Sequence, residues 1–305
     1  MILIWKWLFW VTVSFGAEPF AFEEIVNQSQ LARVQFMPAA DGVNLGYRVY
    51  KAAKPKAVLL FYHGAGAHSA AGYGHFGVSL AGAGITVITP DIRGHGHSGG
   101  PRGHTPEPAL LWQDIEIISH QVTEIAGNLP VLIGGHSTGG GLVINYLSNY
   151  SRKFNGVVLI SPYLGYDTDI ENDDYDGDSF TESSFFYFAM NRLSGGTFFS
   201  SAKGVTLNYP EKILKDDPLL VPYQTVNLAL GYIPETPEDQ IKAISSPLGL
   251  WIGTKDEVFD GRKVNSLMKQ LRQNPKDRVA LVKDANHITI LHQSYSDIVN
   301  WVSSL

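Results

Sequence analysis

The pentapeptide Gly-His-Ser-Thr-Gly at 135–139 constrains this chain more than any other feature. It follows the apolar run 131–133 and precedes a helical pattern of apolar residues that begins at Leu142. A G-x-S-x-G sequence between a strand and a helix is typical of a nucleophile elbow. The turn is so tight that a Cβ two residues before or after the serine would strike neighbouring backbone. The pattern therefore predicts a strand, a sharp turn with the Ser137 hydroxyl exposed at its apex, and a helix.

Short apolar runs alternate with amphipathic patterns along most of the chain. The runs are rich in β-branched residues and predict buried strands, whereas spacings of three and four predict helices. Such alternation predicts an α/β fold, with a mostly parallel central sheet and helices on both faces. Ligands then bind beyond the carboxyl ends of the strands. The predicted strands are 57–62, 85–89, 131–133, 157–160, 248–252 and 279–282, and the clearest predicted helices are 111–125, 261–273 and 290–302.

Residues 163–240 interrupt this alternation. They include 13 aromatic residues, and their 14 Asp or Glu against 4 Lys or Arg give a local charge of −10. We interpret the stretch as a cap inserted into a core formed by 18–162 and 241–305. The acidic run 173–178 within it is interpreted as a solvated loop rather than a calcium site, because it lacks the full loop spacing with a closing Glu.

The N-terminal residues 1–17 are predicted to be a signal peptide. The first 16 are apolar except for Lys6, Thr12 and Ser14, which is shorter than the roughly 20 residues that a spanning helix needs. Small residues and then polar sequence follow, as at a cleavage site. We expect export to the periplasm or the exterior. The alternative is an uncleaved segment that holds the protein at a membrane, since Trp favours membrane interfaces.

Composition excludes several classes of function. The chain has no cysteine, so it has neither disulfides nor thiol catalysis. A net charge of −6 without a basic stripe makes a nucleic-acid partner unexpected. The histidines at 63, 68, 75, 95 and 97 match no metal-ligand spacing, and we expect no metal site.

A serine nucleophile needs a neighbouring base, and in proteins with this elbow the acid and the histidine follow the serine in the chain. Only two of ten histidines, His287 and His292, lie downstream of Ser137. His287 is predicted in a loop after a strand, whereas His292 falls in a helical pattern, so His287 is the candidate base. Asp256 follows the preceding strand and is the candidate acid. Asp260 is the second choice, because a helix cap already explains it.

Negative charge that develops on a substrate oxygen requires prepositioned donors. The backbone N–H after the nucleophile, that of Thr138, is one expected donor. The second is expected in the glycine-rich loop 63–66, after an early strand, where we assign it to the Ala65 N–H.

Several motifs occur in order along the chain. They are His-Gly-Ala-Gly at 63–66, the run 91–98, the elbow 135–140, Gly-x-x-Asp at 253–256 and Asn-His at 286–287. Together they resemble the monoacylglycerol lipase and lysophospholipase branch of the α/β-hydrolases, which is similar to the serine aminopeptidase S33 group. In that family the turn from Arg93 to Ser98 looks structural.

The resemblance implies an α/β-hydrolase fold and cofactor-free hydrolysis of carboxylic esters by a serine. The implied substrates are small acyl esters, such as monoacylglycerol-like or lysophospholipid-like lipids. An acyltransferase or a non-catalytic protein on the same fold is the alternative. A peripheral contact with a membrane is a further expectation, although the acidic cap disfavours anionic lipid. The aromatic residues at 185–188 and 198–199 are predicted to form an acyl-chain pocket, and the oligomeric state stays open.

Overall fold

A computed structural model describes residues 20–26, 31–166 and 168–305. The predicted signal peptide, 1–17, lies outside the described residues. Among those that are described, no helix combines the length and the apolar character needed to cross a membrane.

Two sheets organise the described chain, and all six predicted strands are present. The sequence patterns missed the two strands that come first and the three short strands between 181 and 225. The strands are β1 Val34–Pro38, β2 Asn44–Tyr50, β3 Ala57–Tyr62, β4 Ile85–Pro90, β5 Val131–His136, β6 Gly156–Ile160, β7 Thr181–Ser183, β8 Lys203–Leu207, β9 Tyr223–Thr225, β10 Leu248–Gly253 and β11 Arg278–Val282.

The central sheet has the order β1-β2-β4-β3-β5-β6-β10-β11. From β4 to β11 all neighbouring strands are parallel, whereas β2 runs antiparallel to both β1 and β4. Strands β3, β4, β6 and β10 are buried along their whole length, as expected for strands covered on both faces. The expectation of burial is wrong for 279–282, because β11 is an edge strand and Leu281 is 41% exposed.

Helices cover both faces of this sheet. Apolar residues of α3, α4 and α9 pack on one face, and those of α2 and α11 pack on the other. The predicted helix 290–302 is two helices that meet at Ser294. The helices are α1 Phe22–Val26, α2 Tyr73–Gly82, α3 Ala109–Ala126, α4 Thr138–Asn149, α5 Phe185–Leu193, α6 Glu211–Asp216, α7 Val226–Tyr232, α8 Pro237–Ala243, α9 Gly261–Leu271, α10 Ile290–Gln293 and α11 Tyr295–Ser303.

The chain between β6 and β10 forms a small antiparallel sheet, β7-β8-β9, together with α5 to α8. These elements lie within the stretch predicted to be the cap, whose boundaries at 163 and 240 stay a prediction. A buried contact of 2.7 Å between His68 Nε2 and Asp217 Oδ2 joins this region to the loop after β3. The cap region therefore lies over the carboxyl ends of the central strands.

Candidate active site

The turn at Ser137 has the tight geometry that the sequence predicts. Ser137 lies between β5 and α4 with φ 53° and ψ −124°, a region that non-glycine residues rarely adopt. A Cβ on Gly135 would lie 2.3 Å from the carbonyl carbon of Gly139, and a Cβ on Gly139 would lie 2.5 Å from the carbonyl oxygen of Tyr62. Both glycines are therefore required by space, and the predicted strand, sharp turn and helix are present.

Hydrogen bonds from neighbouring segments hold the strained backbone of Ser137 in place. Its N–H donates to the carbonyl oxygen of Ile160 at 3.0 Å, and its own carbonyl accepts the N–H groups of Gly140 and Tyr163 at 2.9 Å. The surrounding structure thus enforces an otherwise unfavourable conformation, which is common where function requires it. Within the described chain the Ser137 hydroxyl has no hydrogen-bond partner, and Ser137 lines a cavity.

His287 and Asp256 form a buried pair at the ends of the last two strands. Asp256 follows β10 and His287 follows β11, and His287 Nδ1 lies 3.0 Å from each carboxylate oxygen of Asp256. Asp256 Oδ1 also accepts the N–H groups of Val258 and Phe259 at 3.0 Å. These bonds fix the carboxylate, which in turn fixes His287 with its proton on Nδ1 and leaves Nε2 as the basic nitrogen.

Within this pair, the pKa of each partner is shifted in the direction that favours its charged form. Burial raises the pKa of Asp256. The neighbouring His287 and the hydrogen bonds to the carboxylate lower this pKa by more than burial raises it, so the net pKa lies below the ordinary value. Burial lowers the pKa of His287, whereas the charges of Asp256 and Glu257 raise it, and the net pKa lies above its ordinary value of 6.5. The site therefore stabilises an imidazolium when one forms.

A cavity of about 450 Å³ brings four of the five predicted site residues together. Ser137, Thr138, Ala65 and His287 all line it, while Asp256 lies behind His287 and does not. No hydrogen bond joins the Ser137 hydroxyl to His287 among the described contacts. Such contacts often tighten only when a substrate binds.

The backbone N–H groups of Ala65 and Thr138 donate no hydrogen bond to any residue of the described chain. The loop that carries Ala65 is held by a residue of the cap region, since the Ala65 carbonyl oxygen accepts a hydrogen bond from the Tyr209 hydroxyl at 2.9 Å. A Cβ on Gly64 would lie only 3.1 Å from Ser137 Cβ, so glycine lets this loop approach the elbow. Two free donors thus border the cavity that Ser137 lines.

A buried hydrogen-bond chain that the sequence did not reveal connects the three loops of the site. The Gly64 N–H donates to the Tyr73 hydroxyl at 2.8 Å, and that hydroxyl donates to His136 Nδ1 at 2.9 Å. His136 Nε2 donates to the carbonyl oxygen of His287 at 2.8 Å. Burial, helped by the nearby His287, lowers the pKa of His136 to about 3. His136 is therefore neutral and serves as a fixed connector.

Glu257 is a second residue that sequence reasoning missed. It is 8% exposed and lines the cavity, and its Oε2 accepts the backbone N–H of His287 at 2.8 Å. Its other oxygen, Oε1, is buried without a hydrogen-bond partner among the described residues. Burial raises the pKa of Glu257 above its ordinary value, against the lowering effect of the His287 bond. Glu257 thus anchors the loop that carries the candidate base.

The second choices made from sequence have other roles. Asp260 is the N-cap of α9, as predicted, and accepts the N–H groups of Arg262 and Lys263. His292 lies in α10, and its ring packs against that of His75 with 4.7 Å between centroids. Neither residue lines the cavity.

The described residues contain no group of three or more His, Cys, Asp or Glu side chains that could hold a metal ion. His63 and His68, two of the five histidines between 63 and 97, form hydrogen bonds with other residues of the chain. His63 Nε2 accepts the Ile92 N–H at 3.0 Å, and His68 contacts Asp217. In the acidic run, Asp173 lies 2.7 Å from Lys263 Nζ.

The predicted acyl-chain pocket from the aromatic residues at 185–188 and 198–199 is wrong. None of these six side chains lines the cavity of Ser137, and Phe185 on α5 is 85% exposed. Other aromatic side chains form its wall, because the cap places α5 on the outside. They are Phe20, Tyr163, Tyr166, Tyr175, Phe180, Tyr232 and Phe259.

Comparison with known proteins finds related sequences and a related structure. The chain is 33% identical over 122 residues to a monoacylglycerol lipase of Mycolicibacterium smegmatis, covering 40% of this chain and 43% of that protein. It is 35% identical over 126 residues to human monoglyceride lipase, covering 41% of each. Each alignment thus spans less than half of the curated relative. A soluble variant of Saccharomyces cerevisiae monoglyceride lipase has a similar structure, with a TM-score of 0.70 at 16% identity, covering 94% of this chain and 99% of that one.

These similarities confirm the resemblance to the monoacylglycerol lipase branch and the α/β-hydrolase fold. The family model described as "Serine aminopeptidase, S33" matches residues 53–293, which include both the elbow and the His287 loop. The chain therefore belongs to the serine aminopeptidase S33 family of α/β-hydrolases.

Proposed function

We propose that this protein is a carboxylic ester hydrolase that acts through Ser137, His287 and Asp256. The observation that carries the proposal is the cavity that Ser137 shares with His287, whose Nδ1 is held 3.0 Å from the buried Asp256 carboxylate. A serine at an elbow, a base and an orienting acid are the parts that acyl transfer requires. The similarity to monoacylglycerol and monoglyceride lipases supports esters over other acyl compounds.

The proposed reaction proceeds in two halves. Ser137 Oγ attacks the ester carbonyl carbon, and its proton moves to His287 Nε2. The bond from carbon to the alcohol oxygen then breaks, and His287 gives its proton to the departing alcohol. Water repeats the cycle on the acyl-enzyme, which releases the carboxylic acid and restores Ser137.

The charge that forms on the carbonyl oxygen needs stabilisation during both halves. We assign this role to the backbone N–H groups of Ala65 and Thr138, which have no protein acceptor in the described chain. Donors that are already oriented need no reorganisation, and the loss of one such donor typically costs about 3 kcal/mol of transition-state stabilisation.

The lining of the cavity narrows the class of ester. Apolar side chains such as Val205, Leu207 and Ile233 line it together with Glu171 and Asp178. No Lys or Arg is among the described residues that line it. Because acidic groups repel anions, a neutral lipid of the monoacylglycerol type fits better than a lysophospholipid whose headgroup is anionic.

The activity of this site should depend on pH through His287. The base works only when neutral, and the net pKa of His287 lies above 6.5. We therefore expect kcat/KM to be low in acid and to rise with a midpoint above pH 6.5.

Glu257→Gln keeps an acceptor for the His287 N–H but removes a negative charge, so the imidazolium is less stable and the midpoint should move to lower pH. Initial rates of wild type and variant between pH 5 and 9 measure the shift.

Glu124→Gln is the matched control, because Glu124 lies on the exposed side of α3. It should leave the midpoint unchanged. A midpoint that moves upward in Glu257→Gln, or equally in both variants, would contradict the assigned role of this charge.

A panel of esters tests the proposed function most simply. Purified protein is assayed on p-nitrophenyl esters from acetate to palmitate, on monoacylglycerols and on lysophospholipids. We expect Ser137-dependent release of acid, with monoacylglycerol preferred over anionic lysophospholipid. Acid release that gives way to a new ester when a second alcohol is added would indicate acyl transfer, and inactivity on the whole panel would favour the non-catalytic alternative.

We also propose peripheral contact with neutral lipid surfaces. Five apolar side chains on α5 and the loop after it, all in the cap region, are at least 38% exposed; they are Phe185, Phe186, Leu193, Phe198 and Phe199. The rings of Phe186 and Phe199 are in contact, with 5.5 Å between their centroids, and clustered exposed apolar residues mark an interaction surface, whereas scattered ones are normal. The net negative charge of the region favours zwitterionic over anionic lipid.

The patch predicts a measurable loss of binding when it is made polar. Burying one Phe side chain contributes about 1.5–3 kcal/mol, so Phe185→Ser with Phe186→Ser should reduce co-flotation with phosphatidylcholine vesicles by tenfold or more. Ile125→Ser alters an exposed apolar residue of α3 outside the patch and should leave flotation unchanged. Flotation that the double variant does not reduce would contradict the proposal.

Export through the N-terminal segment is a further proposal, supported by the apolar run before residue 17. N-terminal sequencing of the mature protein should find a start near residues 17–18. Intact Met1 on protein held at a membrane would support the uncleaved alternative.

A further inference from the structure

A short segment near the N-terminus forms part of the cavity wall. We call residues 20–26 the strap; it contains Phe20 and the helix α1. Phe20 lines the main cavity with Ser137 and His287, and it also lines a smaller adjoining cavity of about 30 Å³. The match to the family begins at residue 53, so the strap lies outside the segment that this chain shares with the family model.

The strap is held from several sides. Ile25 is buried at 4% exposure, and α1 contacts α6 of the cap region. Glu24 Oε2 lies 3.5 Å from His292 Nε2 on the core side. The strap therefore contacts both the core and the cap region.

Aromatic packing places the ring of Phe20 at the site. Its centroid lies 4.8 Å from that of Phe22, 5.1 Å from that of Phe180 in the cap region, and 5.8 Å from the ring of His287. The ring of Phe180 in turn packs against that of Tyr209, with 4.9 Å between centroids. The Tyr209 hydroxyl donates a hydrogen bond to the Ala65 carbonyl oxygen. One connected aromatic cluster thus links the strap to the base and to the candidate oxyanion loop.

The position of Phe20 indicates which end of the substrate it meets. In the proposed reaction His287 delivers its proton to the departing alcohol, so that alcohol must lie against the imidazole. Phe20 packs against the same imidazole, and it lines both cavities, as do Ala65, Ser137, Phe180 and His287. The smaller cavity is also lined by Ile25 and Leu291 and by the polar side chains of Tyr73, His136 and Tyr209. Removal of the Phe20 ring would therefore enlarge the space beside the imidazole.

We propose that Phe20 limits the size of the alcohol group that the cavity accepts. The proposal rests on the proposed ester hydrolysis and assigns a specificity-determining residue to that site. Phe20→Ala should admit bulkier alcohols, because it removes a ring from the wall of both cavities and enlarges the space beside the imidazole. Phe20→Trp should have the opposite effect, because it adds bulk at the same place.

Two ester series test the proposal on the full chain. The first keeps the butyryl group and compares the ethyl with the 2-naphthyl ester; the second keeps ethanol and compares acetate with octanoate. Because the intrinsic reactivity of each ester cancels when variant and wild type are compared, only the change in the kcat/KM ratio is used. A single methylene group more or less in an apolar pocket already alters such ratios about 10- to 200-fold. We expect Phe20→Ala to raise the naphthyl-to-ethyl ratio at least tenfold, Phe20→Trp to lower it, and the acyl ratio to stay within about twofold.

Phe36→Ala is the matched control, since Phe36 is 56% exposed on β1 and lines neither cavity. It should change neither ratio. If Phe20→Ala lowers the melting temperature too far for assay, Phe20→Leu should show the same direction of change. An alcohol ratio that stays constant, or an acyl ratio that changes as much, would overturn the proposal. Absence of Ser137-dependent hydrolysis in the wild type would instead remove the proposed function, and this inference with it.

Discussion

Ser137→Ala is expected to lower kcat for ester hydrolysis by about a millionfold, which is the scale seen when a serine nucleophile of this type is removed. The variant keeps the two free N–H donors and the cavity, so substrate should still bind with little change in affinity. Because Ser137 is strained at φ 53° and alanine must adopt the same conformation, we expect a similar melting temperature. Steady-state rates on p-nitrophenyl butyrate, with calorimetry of both proteins, measure the two effects.

Ser148→Ala is the matched control for this experiment. Ser148 lies on the same helix, α4, and its hydroxyl donates to the Ile144 carbonyl away from the cavity. It should retain full activity. A loss smaller than tenfold in Ser137→Ala, with the enzyme preparation free of contaminating esterase, would contradict the assignment of the nucleophile.

Asp256→Asn is expected to lower kcat by about 10⁴, with little effect on substrate affinity. The carboxylate accepts the proton-bearing Nδ1 of His287 from 3.0 Å on both oxygens. An amide can present an N–H instead, which would favour the other tautomer and place a proton on Nε2, where the base must be free. Asn also removes the charge that raises the pKa of His287, so the imidazolium in the transition state loses its partner.

Asp260→Asn provides a discriminating control, because Asp260 was the second choice for the acid. It caps α9 through the N–H groups of Arg262 and Lys263, and Asn caps helices about as well as Asp. We therefore expect nearly unchanged activity and stability. Equal losses in the Asp256 and Asp260 variants would contradict the assignment of the acid.

The parts of the site that depend on local sequence could be predicted. The two glycines around Ser137 are required by contacts of 2.3 and 2.5 Å, and a close turn of this kind has a sequence signature that does not depend on distant residues. Chain order then selected His287, and Asp256 followed from its place after a strand. The 3.0 Å contact between these two side chains fits that selection.

Contacts between segments that are far apart in the chain could not be predicted. Glu257 looked like an ordinary acidic residue, since nothing local indicates that its carboxylate accepts the His287 N–H from 30 positions away. The bonds from Tyr73 through His136 to His287 similarly join three loops. Phe20 lies just after the predicted signal peptide. A single residue that lines a cavity produces no periodic pattern, so the sequence did not indicate its role.

The errors in the fold have related physical causes. An apolar pattern alone cannot distinguish a central strand from an edge strand, so 279–282 was expected to be buried although β11 ends the sheet. The aromatic run at 185–188 predicted a pocket because composition does not show which side of α5 faces inward. Packing of the cap region decides this, and it leaves Phe185 largely exposed.

The central claim is that Ser137 is the activated nucleophile of this cavity. Reaction of the protein with a fluorophosphonate, followed by mass spectrometry of its peptides, tests this claim most directly, because the reagent bonds covalently to an activated serine. We predict one adduct on the peptide that contains Ser137, none in Ser137→Ala, and strongly slowed labelling in His287→Ala. An unlabelled Ser137 in folded, ester-hydrolysing protein, or inactivation by an adduct on another residue, would contradict it.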